Sequence, residues 1–386
     1  MDIESIFVYL VTFFSSCVFI HISQLMLYDK LKNKNKNVKF RILGFIFLSI
    51  GILIPCVLAA LRGLKVGMDM GYVVPNIMGG SSLSEHGFWG YFNNMPVDTE
   101  IGFAYLMYIG NVYRSFGLPF FIIQLLIIVP IYFMLTKYRN KLSVTLGMLV
   151  YYFLFYNLSL CIIRGSVAMS VMPLVFYYIK QRKYLKSILL LLYALSFHNS
   201  ALFVFVVGLY IHFIMTAKNK KKWICFTVIL VISMFSVVTK FSSLFINIIG
   251  LINLRYAGYM NNYLGYGSSS NVPMTDFLSK VLLILLVTLI LMKTKKFDKE
   301  SQYLCMFAIF GRIFTLFNSV FYESMRFAFY FDIFIVFYAS SMYYCFRNTI
   351  LNKCAAFVMT LFPPFFYWLY FMMYIGAYQT NIYTIR

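Results

Sequence analysis

Residues 180–222 read KQRKYLKSILLLLYALSFHNSALFVFVVGLYIHFIMTAKNKKK, and this stretch indicates how the chain is built. Clusters of Lys and Arg stand at 180–186 and 218–222, and the apolar segment 187–217 between them has 31 residues. Basic residues between membrane spans concentrate on the cytoplasmic side, so both ends are expected there. Two full spans would need about 40 residues. We therefore predict a hairpin of two short helices that turns at residues 197–200.

The same alternation of apolar runs and basic breaks extends along the whole 386-residue chain. Apolar residues make up 62% of it, against roughly 45–50% in soluble domains. Six polar breaks hold 23 of the 33 Lys and Arg residues, so the net charge of +21 indicates membrane topology and affinity for anionic lipid. It does not indicate a nucleic-acid partner. The breaks are 28–41, 137–141, 180–186, 218–222, 293–299 and 347–353.

The apolar runs predict an all-α protein that crosses the membrane many times as one transmembrane domain, residues 1–386. With the hairpin counted as two, the runs give about twelve segments with both termini outside, and every basic break then lies on the cytoplasmic side. About ten or eleven segments is the alternative. The runs outside the hairpin are 5–27, 42–61, 118–136, 142–161, 165–179, 223–240, 276–292, 301–320, 327–346 and 354–375.

Two larger regions are expected at the outer face. Residues 62–117 form the first, and its end, Glu100 to Ser115, has the apolar spacing of an amphipathic helix at the interface. Residues 241–275 form the second, where Arg255 stands among four tyrosines. The basic residues outside the breaks are mostly single and lie on or near this face, where we expect the chemistry. They are Arg62, Lys65, Arg114, Arg164, Lys240, Arg255, Lys280, Arg312, Arg326 and Arg386.

The first candidate group is the sequence RGLKVGMD at 62–69, where the second predicted span ends, with Tyr72 shortly after it. Glycine permits tight backbone turns. The loop is therefore expected to hold the cations Arg62 and Lys65 and the carboxylate of Asp69 close to the lipid surface. The competing interpretation is a loop positioned by a structural Arg–Asp pair.

Three further groups each contain one candidate residue. Glu100 opens the amphipathic helix, where the helix dipole stabilises a carboxylate, and a simple capping role is the alternative. Arg164 lies at an outer boundary, and its planar guanidinium matches phosphate geometry; a snorkelling side chain is the alternative. His198 lies at the turn of the hairpin, where a bend in the membrane must face protein or a watery cavity. A histidine satisfied within the core is the alternative there.

The last group is the sequence ESMR at 323–326, which contains Glu323 and Arg326. We expect Arg326 to face substrate. Ionisable residues at membrane depth are costly and usually paired or functional. Arg312 and Asp332, inside the flanking helices, are therefore expected to meet as a structural pair.

Several motifs that mark cofactor or metal sites do not occur in the sequence. It contains no P-loop, no G-x-G-x-x-G, no H-E-x-x-H, no Asp-x-Asp and no clustered metal ligands. We therefore expect neither a cofactor nor a metal. A reaction at the outer face would draw its energy from an activated substrate.

In chain order, the candidate groups supply Arg62, Val66, Gly67, Met68, Asp69 and Tyr72, then Glu100, Gly102 and Phe103, then Arg164, then Phe197 to Leu202, then Arg326 and Tyr330. This ordered set resembles the EpsG family of bacterial exopolysaccharide polymerases, which are Wzy-like. The motifs cover roughly residues 40–340 of the chain. Gly165 is a departure, because the family often has a polar residue, commonly Gln, after the arginine.

The resemblance implies a glycosyltransferase that joins oligosaccharide repeat units carried on undecaprenyl pyrophosphate, at the outer face of the bacterial cytoplasmic membrane. It implies a metal-independent enzyme with a GT-C-like fold. A chain-length regulator is a further candidate partner. Arg164 and Arg326, with Arg62 as a third candidate, would stabilise the charge on the leaving pyrophosphate. The further predicted substrate contacts are Lys65, Tyr72, Arg255 and Glu323.

A general base must take the proton from the acceptor sugar hydroxyl. The candidates are His198, Asp69 and Glu100, and the sequence does not order them. Histidine has the most suitable ordinary pKa for this task. A carboxylate is equally able when it is partly desolvated.

Two other functions fit parts of the pattern. A lipid-linked glycan ligase would share the architecture and transfer a finished glycan to another acceptor. A transporter of lipid-linked oligosaccharide would need polar lining from both faces, and such proteins often have repeated halves. The single charges here crowd toward the outer side, and no internal repeat is evident, which favours the enzyme.

Overall fold

A computed structural model of the chain describes residues 2–28, 38–70, 73, 87–95, 99–240, 274–319, 324–346 and 350–385. These residues are almost entirely helical, and between them the backbone forms a single bridge of strand type, from Arg62 to Ile385. The prediction of an all-α protein is therefore confirmed. The chain divides into two compact units, one of Met1–Leu202 with Val336–Arg386 and one of Phe203–Ile335.

The helices are numbered here in chain order. Two of them contain π-helical turns: α6 at Tyr152–Tyr156, and the last helix, which continues as Trp368–Tyr374. The helices are α1 (Ile3–Tyr28), α2 (Val38–Leu61), α3 (Gly87–Asn93), α4 (Ile101–Val112), α5 (Gly117–Lys137), α6 (Val144–Cys161), α7 (Ile163–Lys180), α8 (Tyr184–Leu195), α9 (Ser200–Thr216), α10 (Lys220–Lys240), α11 (Met274–Lys293), α12 (Lys299–Leu316), α13 (Ser324–Asp332), α14 (Phe334–Ser340) and α15 (Ile350–Tyr367).

The predicted apolar runs coincide with these helices to within a few residues at most ends. Residues 184–216 form two separate short helices, α8 and α9, with the predicted break at residues 196–199. Their pairing as a hairpin stays a prediction. Six segments among the described residues are long and apolar enough to cross a membrane. This supports an integral membrane protein. The number of about twelve segments stays a prediction, because helices as short as α8 and α9 do not meet that length criterion.

Helices α1 and α2 approach closely because small residues lie between them. The Ser16 hydroxyl donates to the Gly51 carbonyl at 2.6 Å, and a Cβ atom at Gly51 would lie 2.9 Å from the Ser16 carbonyl oxygen. Small residues permit such contacts between helices in membranes. Phe13 of α1 also packs on Tyr152 of α6 and on Trp368, with ring centroids 5.1 and 6.0 Å apart. These contacts join the two ends of the chain in one core.

The C-terminal segment, residues 376–385, lies along the loop that follows α2. The Gly63 amide donates to the Thr384 carbonyl at 2.6 Å, and the Gly67 amide donates to the Gln379 carbonyl at 3.0 Å. Tyr383 donates its hydroxyl to the carbonyl of Leu58. The loop at 62–69 is thus fastened by backbone hydrogen bonds to residues far away in sequence.

Within the second unit, four ionisable side chains form a buried cluster. Arg312 pairs with Asp332, as predicted, and its Nη1 also lies 3.4 Å from Asp276 Oδ2. Lys280 Nζ lies 2.8 Å from Asp276 Oδ1 and 3.3 Å from Asp332 Oδ2. All four side chains are at most 6% exposed. The charges of the two cations and the two carboxylates sum to zero, and such pairing lowers the free-energy cost of burying charged groups at low dielectric.

Gly311 gives the first test of this packing. A Cβ atom there would lie 2.2 Å from Asp332 Oδ1, so Gly311→Ala must displace a buried carboxylate. We expect a loss of about 1–3 kcal/mol of stability, because overpacking forces shifts in a filled interior. The measurement is the thermal midpoint of the detergent-solubilised protein by gel filtration. Ser279→Ala is the control, since the Ser279 hydroxyl bonds the carbonyl of Asp276 in its own helix. Equal midpoints for both variants would contradict the prediction.

Candidate active site

Glu100, the residue before α4, is the centre of the candidate site. Its Oε2 accepts a hydrogen bond from Arg164 Nη1 at 2.7 Å, and its Oε1 lies 3.0 Å from His198 Nδ1. The same Oε1 accepts from the backbone amide of Asn199 at 3.4 Å. Arg164 and His198, which were predicted from two separate motifs, therefore meet at the carboxylate of Glu100, which was predicted from a third.

The local backbone explains why glycine and phenylalanine follow Glu100. The Gly102 amide donates to the Ser196 carbonyl at 2.7 Å, and a Cβ atom at Gly102 would lie 2.8 Å from that oxygen. Any larger residue at position 102 would push α4 away from the turn at residues 196–199. The Phe103 ring centroid lies 5.4 Å from Arg164 Cζ, within the range of a cation–π contact. The motif thus docks α4 against both partners of its glutamate.

Arg164 occupies the first turn of α7, directly after a break in the helix at Ile162. A cation in this position is opposed by the positive end of the helix dipole. The Glu100 carboxylate offsets that repulsion. The alternative of a simple capping glutamate is wrong in this geometry, because the Glu100 side chain makes no capping hydrogen bond to α4. The predicted helix at 100–115 is present in shortened form as Ile101–Val112.

The three side chains differ in their access to solvent. Arg164 is 20% exposed and His198 14%, whereas Glu100 is 7% exposed. Burial alone would raise the pKa of Glu100, but the hydrogen bond from His198 and the charge of Arg164 outweigh it and lower this pKa below its ordinary value. Glu100 is therefore an anion at neutral pH. The guanidinium and the imidazole are thus the two groups more accessible to a substrate, and the more buried carboxylate bonds to both.

The hydrogen bonds of His198 fix which ring nitrogen can act as a base. An ionised carboxylate only accepts, so Nδ1 carries the hydrogen that points to Glu100. Nε2 of the neutral ring is then an acceptor, and the Ser200 hydroxyl lies 3.2 Å from it. The position of the Ser200 hydroxyl shows one direction from which a substrate hydroxyl can form a hydrogen bond to Nε2. Ser200 belongs to the motif at 197–202, but no separate role was predicted for it; its position two residues after His198 is the one signal for that role.

The loop at 62–69 packs beside this site. Arg62 is 2% exposed, donates to the Leu160 carbonyl and lies 3.9 Å from the centroid of the Phe120 ring. Burial lowers the pKa of Arg62 to about 10, so the guanidinium stays charged at neutral pH. This burial favours a structural role for Arg62 over direct contact with substrate. Lys65 and Asp69 are exposed on the same loop.

Gly67 fixes the path of that loop. Its φ is 102°, and a Cβ atom there would lie 2.6 Å from the Leu160 carbonyl oxygen. Glycine is the residue that adopts this conformation without strain. The contact brings the loop against the end of α6, four residues before Arg164. Asp69 is thereby held in the neighbourhood of Cys161, the last residue of α6.

The remaining predicted residues lie elsewhere. Arg326 is an exposed residue in the first turn of α13, within the second unit. Tyr72, Arg255 and Glu323 lie outside the described residues. Within the described part of the chain, no three His, Cys, Asp or Glu side chains are grouped so that they could hold a metal ion.

Gly102 offers a test of the docking of α4. Gly102→Ala is expected to lower formation of the polymer that the EpsG resemblance implies by at least about tenfold, because a misplacement of about 1 Å in a catalytic group is costly. The protein should still reach the membrane. Ile101→Ala is the matched control, since Ile101 is 44% exposed and adjacent. Polymer at the wild-type level from Gly102→Ala would show that this contact does not position the site.

Comparison with known proteins gives one match. The family model for the EpsG family matches residues 45–384. The comparisons with curated proteins and with solved structures found no significant match. The matched region contains every described residue of the candidate site and extends past the motifs that first suggested the resemblance. Since it covers most of the chain, the protein belongs to the EpsG family.

Proposed function

We propose that this chain is a polymerase that joins oligosaccharide repeat units, carried on undecaprenyl pyrophosphate, at the outer face of the bacterial cytoplasmic membrane. Membership of the EpsG family supports polysaccharide polymerisation by a glycosyltransferase. The observation that carries the proposal is the Glu100 carboxylate, which holds a guanidinium and an imidazole together. The guanidinium of Arg164 suits a diphosphate, and the imidazole of His198 suits the proton of a hydroxyl group.

The reaction exchanges one bond to the anomeric carbon for another. The hydroxyl oxygen of the acceptor sugar attacks that carbon, and its proton passes to His198 Nε2. The bond between the anomeric carbon and the pyrophosphate oxygen breaks, and the electron pair leaves with the lipid pyrophosphate. A positioned general base typically contributes 10²–10⁴-fold to such a step.

Arg164 stabilises the charge that develops on the leaving group. Its planar guanidinium offers several donors, and the bond to Glu100 engages Nη1. Preorganised donors of this kind need no rearrangement during the reaction, which makes them effective. Arg326, exposed on α13, is proposed as a second contact for the pyrophosphate.

Glu100 acts as the positioning residue. It fixes the imidazole tautomer and holds the guanidinium in one orientation, and its low exposure keeps it away from the substrate. Asp69, on the neighbouring loop, remains the second candidate for the base. Lys65 is exposed on the same loop and is proposed to contact the sugar or the pyrophosphate.

The proposed topology places this site outside. The basic breaks lie in the cytoplasm, the chain forms about twelve segments with α8 and α9 as a short hairpin, and the architecture is GT-C-like. The support is the distribution of charge along the sequence: the clustered Lys and Arg residues lie in the breaks, whereas Arg164 and Arg326 are each the one basic residue of an otherwise uncharged or acidic segment outside the breaks.

The test uses lipid-linked glycan extracted from cells that lack this chain. Purified protein in detergent should convert that material into a ladder of longer chains and release undecaprenyl pyrophosphate. A transporter would do nothing in detergent, where no compartments exist. A ligase would leave long unligated chains in the deleted cells in place of single repeat units. Either result would overturn the proposal.

A further inference from the structure

A second site lies within the unit Phe203–Ile335, and none of the residues that line it is assigned to sugar transfer. It is a cavity of about 510 Å³ bounded by α9, α10, α11 and α12. Most of its walls are apolar, with Ile224 of α10, Leu285 of α11 and Ile309 of α12 among the residues that line it. These three side chains are 40%, 52% and 38% exposed, so the cavity opens sideways toward the surrounding lipid.

Two cations line this cavity, and they differ in their partners. Arg312 is neutralised by the carboxylates of Asp276 and Asp332. Lys220 is half-buried at the start of α10, and among the described residues none forms an ion pair with it. The cavity therefore has one end whose charge is cancelled and one end whose charge is not.

The uncompensated end lies at two basic breaks. Lys220 belongs to the break 218–222 at the start of α10, and Phe297, which also lines the cavity, belongs to the break 293–299 between α11 and α12. Basic pockets between membrane helices bind anionic lipid headgroups, and each Lys near an anionic surface contributes about 1 kcal/mol. The charge at this end is thus complementary to a phosphate.

The length of the cavity matches one leaflet of a bilayer. Its lining on α12 runs from Gln302 to Arg312, ten residues apart, which at 1.5 Å per residue is about 15 Å. The hydrocarbon core of a bilayer is about 30 Å thick, so this is half of it. A lipid with its phosphate at Lys220 would place its chains along these apolar walls and end near Arg312.

We propose that the cavity binds an anionic phospholipid of the leaflet that faces the basic breaks, with its headgroup phosphate at Lys220 and an acyl chain along α11 and α12. The site binds lipid as a structural ligand and takes no part in the transfer of sugar. It is therefore independent of the polymerase assignment.

Native mass spectrometry of the delipidated full-length protein tests the proposal. Phosphatidylglycerol, phosphatidylcholine with the same acyl chains and a polyprenyl phosphate are added separately, and retention of the tightest lipid is measured as the collision energy rises. Phosphatidylglycerol should be retained better. Lys220→Gln should weaken its retention about fivefold, which corresponds to the contribution of one Lys. Lys221→Gln, an exposed neighbour that does not line the cavity, should have little effect.

A second pair of variants tests the apolar walls. Val281 lines the cavity, so Val281→Trp should fill it and lower the retention of phosphatidylglycerol. Leu282 does not line it and is 62% exposed, so Leu282→Trp should leave retention unchanged. If Val281→Trp fails to fold, the comparison of Lys220→Gln with Lys221→Gln still tests the proposal.

Four results would overturn the proposal. They are equal retention of the two phospholipids, an equal loss in Lys220→Gln and Lys221→Gln, unchanged retention in a folded Val281→Trp, and better retention of a polyprenyl phosphate than of phosphatidylglycerol. The second would mean binding by surface charge alone. The last would assign the cavity to an isoprenoid.

Discussion

Replacing Arg164 with alanine is expected to slow chain growth by about 10²–10³-fold while the protein remains in the membrane. Removal of one preorganised group that stabilises developing charge has this effect in other enzymes. The loss should appear in the turnover rate, because the charge on the pyrophosphate develops mainly as the bond to the sugar breaks. The measurement is the initial rate of ladder formation from lipid-linked repeat units in detergent.

Two further variants make this result specific. Arg164→Lys keeps the charge but loses the planar pair of donors, so its rate should fall between those of wild type and Arg164→Ala. Arg114→Ala is the matched control, because Arg114 is a single exposed arginine in the same predicted outer region. Wild-type rates from Arg164→Ala, or an equal loss in Arg114→Ala, would rule out the assigned role.

The second large effect is expected at His198. His198→Gln should lower the rate by about 10²–10⁴-fold, because glutamine can accept a hydrogen bond from a hydroxyl but cannot take its proton. Ser200→Ala is the control in the same turn. It removes the hydroxyl 3.2 Å from Nε2 but leaves the imidazole and Glu100 in place, so its effect should be several-fold at most. Retained activity in His198→Gln would move the role of base to Asp69.

Glu100 can be separated from its two partners by a double-mutant cycle. Glu100→Gln keeps the size of the side chain but loses the charge, and a hydrogen bond to a charged group contributes about 1.5–3 kcal/mol. Because Glu100 acts through His198 and Arg164, the loss in Glu100→Gln with His198→Gln should be smaller than the product of the single losses. A full product would mean that the two residues act independently.

The acid side of the pH profile adds a check on Glu100. The pKa of this carboxyl is lowered in the folded protein, so its contribution to stability is present above its ordinary pKa of 4.5 and is lost as the pH falls through the lowered value. Thermal stability of the wild type should therefore drop below about pH 4.5. Part of that drop should be missing in Glu100→Gln, which has no proton to gain.

Periodic features of the sequence predicted the helices well, for a physical reason. Apolar runs and basic breaks are local consequences of the bilayer, so each helix end can be inferred from nearby residues. The two short helices within 184–216 and the break between them followed from length and charge alone. The cluster of Glu100, Arg164 and His198 was approached only as three separate motifs, because their contact spans up to 98 positions and needs the packing of α4 on the hairpin.

Two side chains have surroundings that depend mainly on residues distant in sequence. Arg62 was predicted to contact substrate, yet its burial depends on Phe120 and Leu160, which are distant in sequence. Lys280 was grouped with the single outer cations, whereas it joins a neutral cluster with Asp276, four residues earlier. That spacing is a helical pair and could have been noticed. The pairing of Lys280 with Asp332 on α13 and of Asp276 with Arg312 on α12 could not.

The fastening of the loop at 62–69 by the C-terminal segment bears on when the enzyme becomes active during its synthesis. Leu58 and Tyr383 are separated by 325 positions, and the hydrogen bond from Gly63 to Thr384 likewise needs a residue near the end of the sequence. The loop at 62–69 can therefore be fastened only after residues 376–385 have been translated and the helix before them has entered the bilayer. If the chain is the polymerase proposed above, a nascent protein would be inactive until that last insertion.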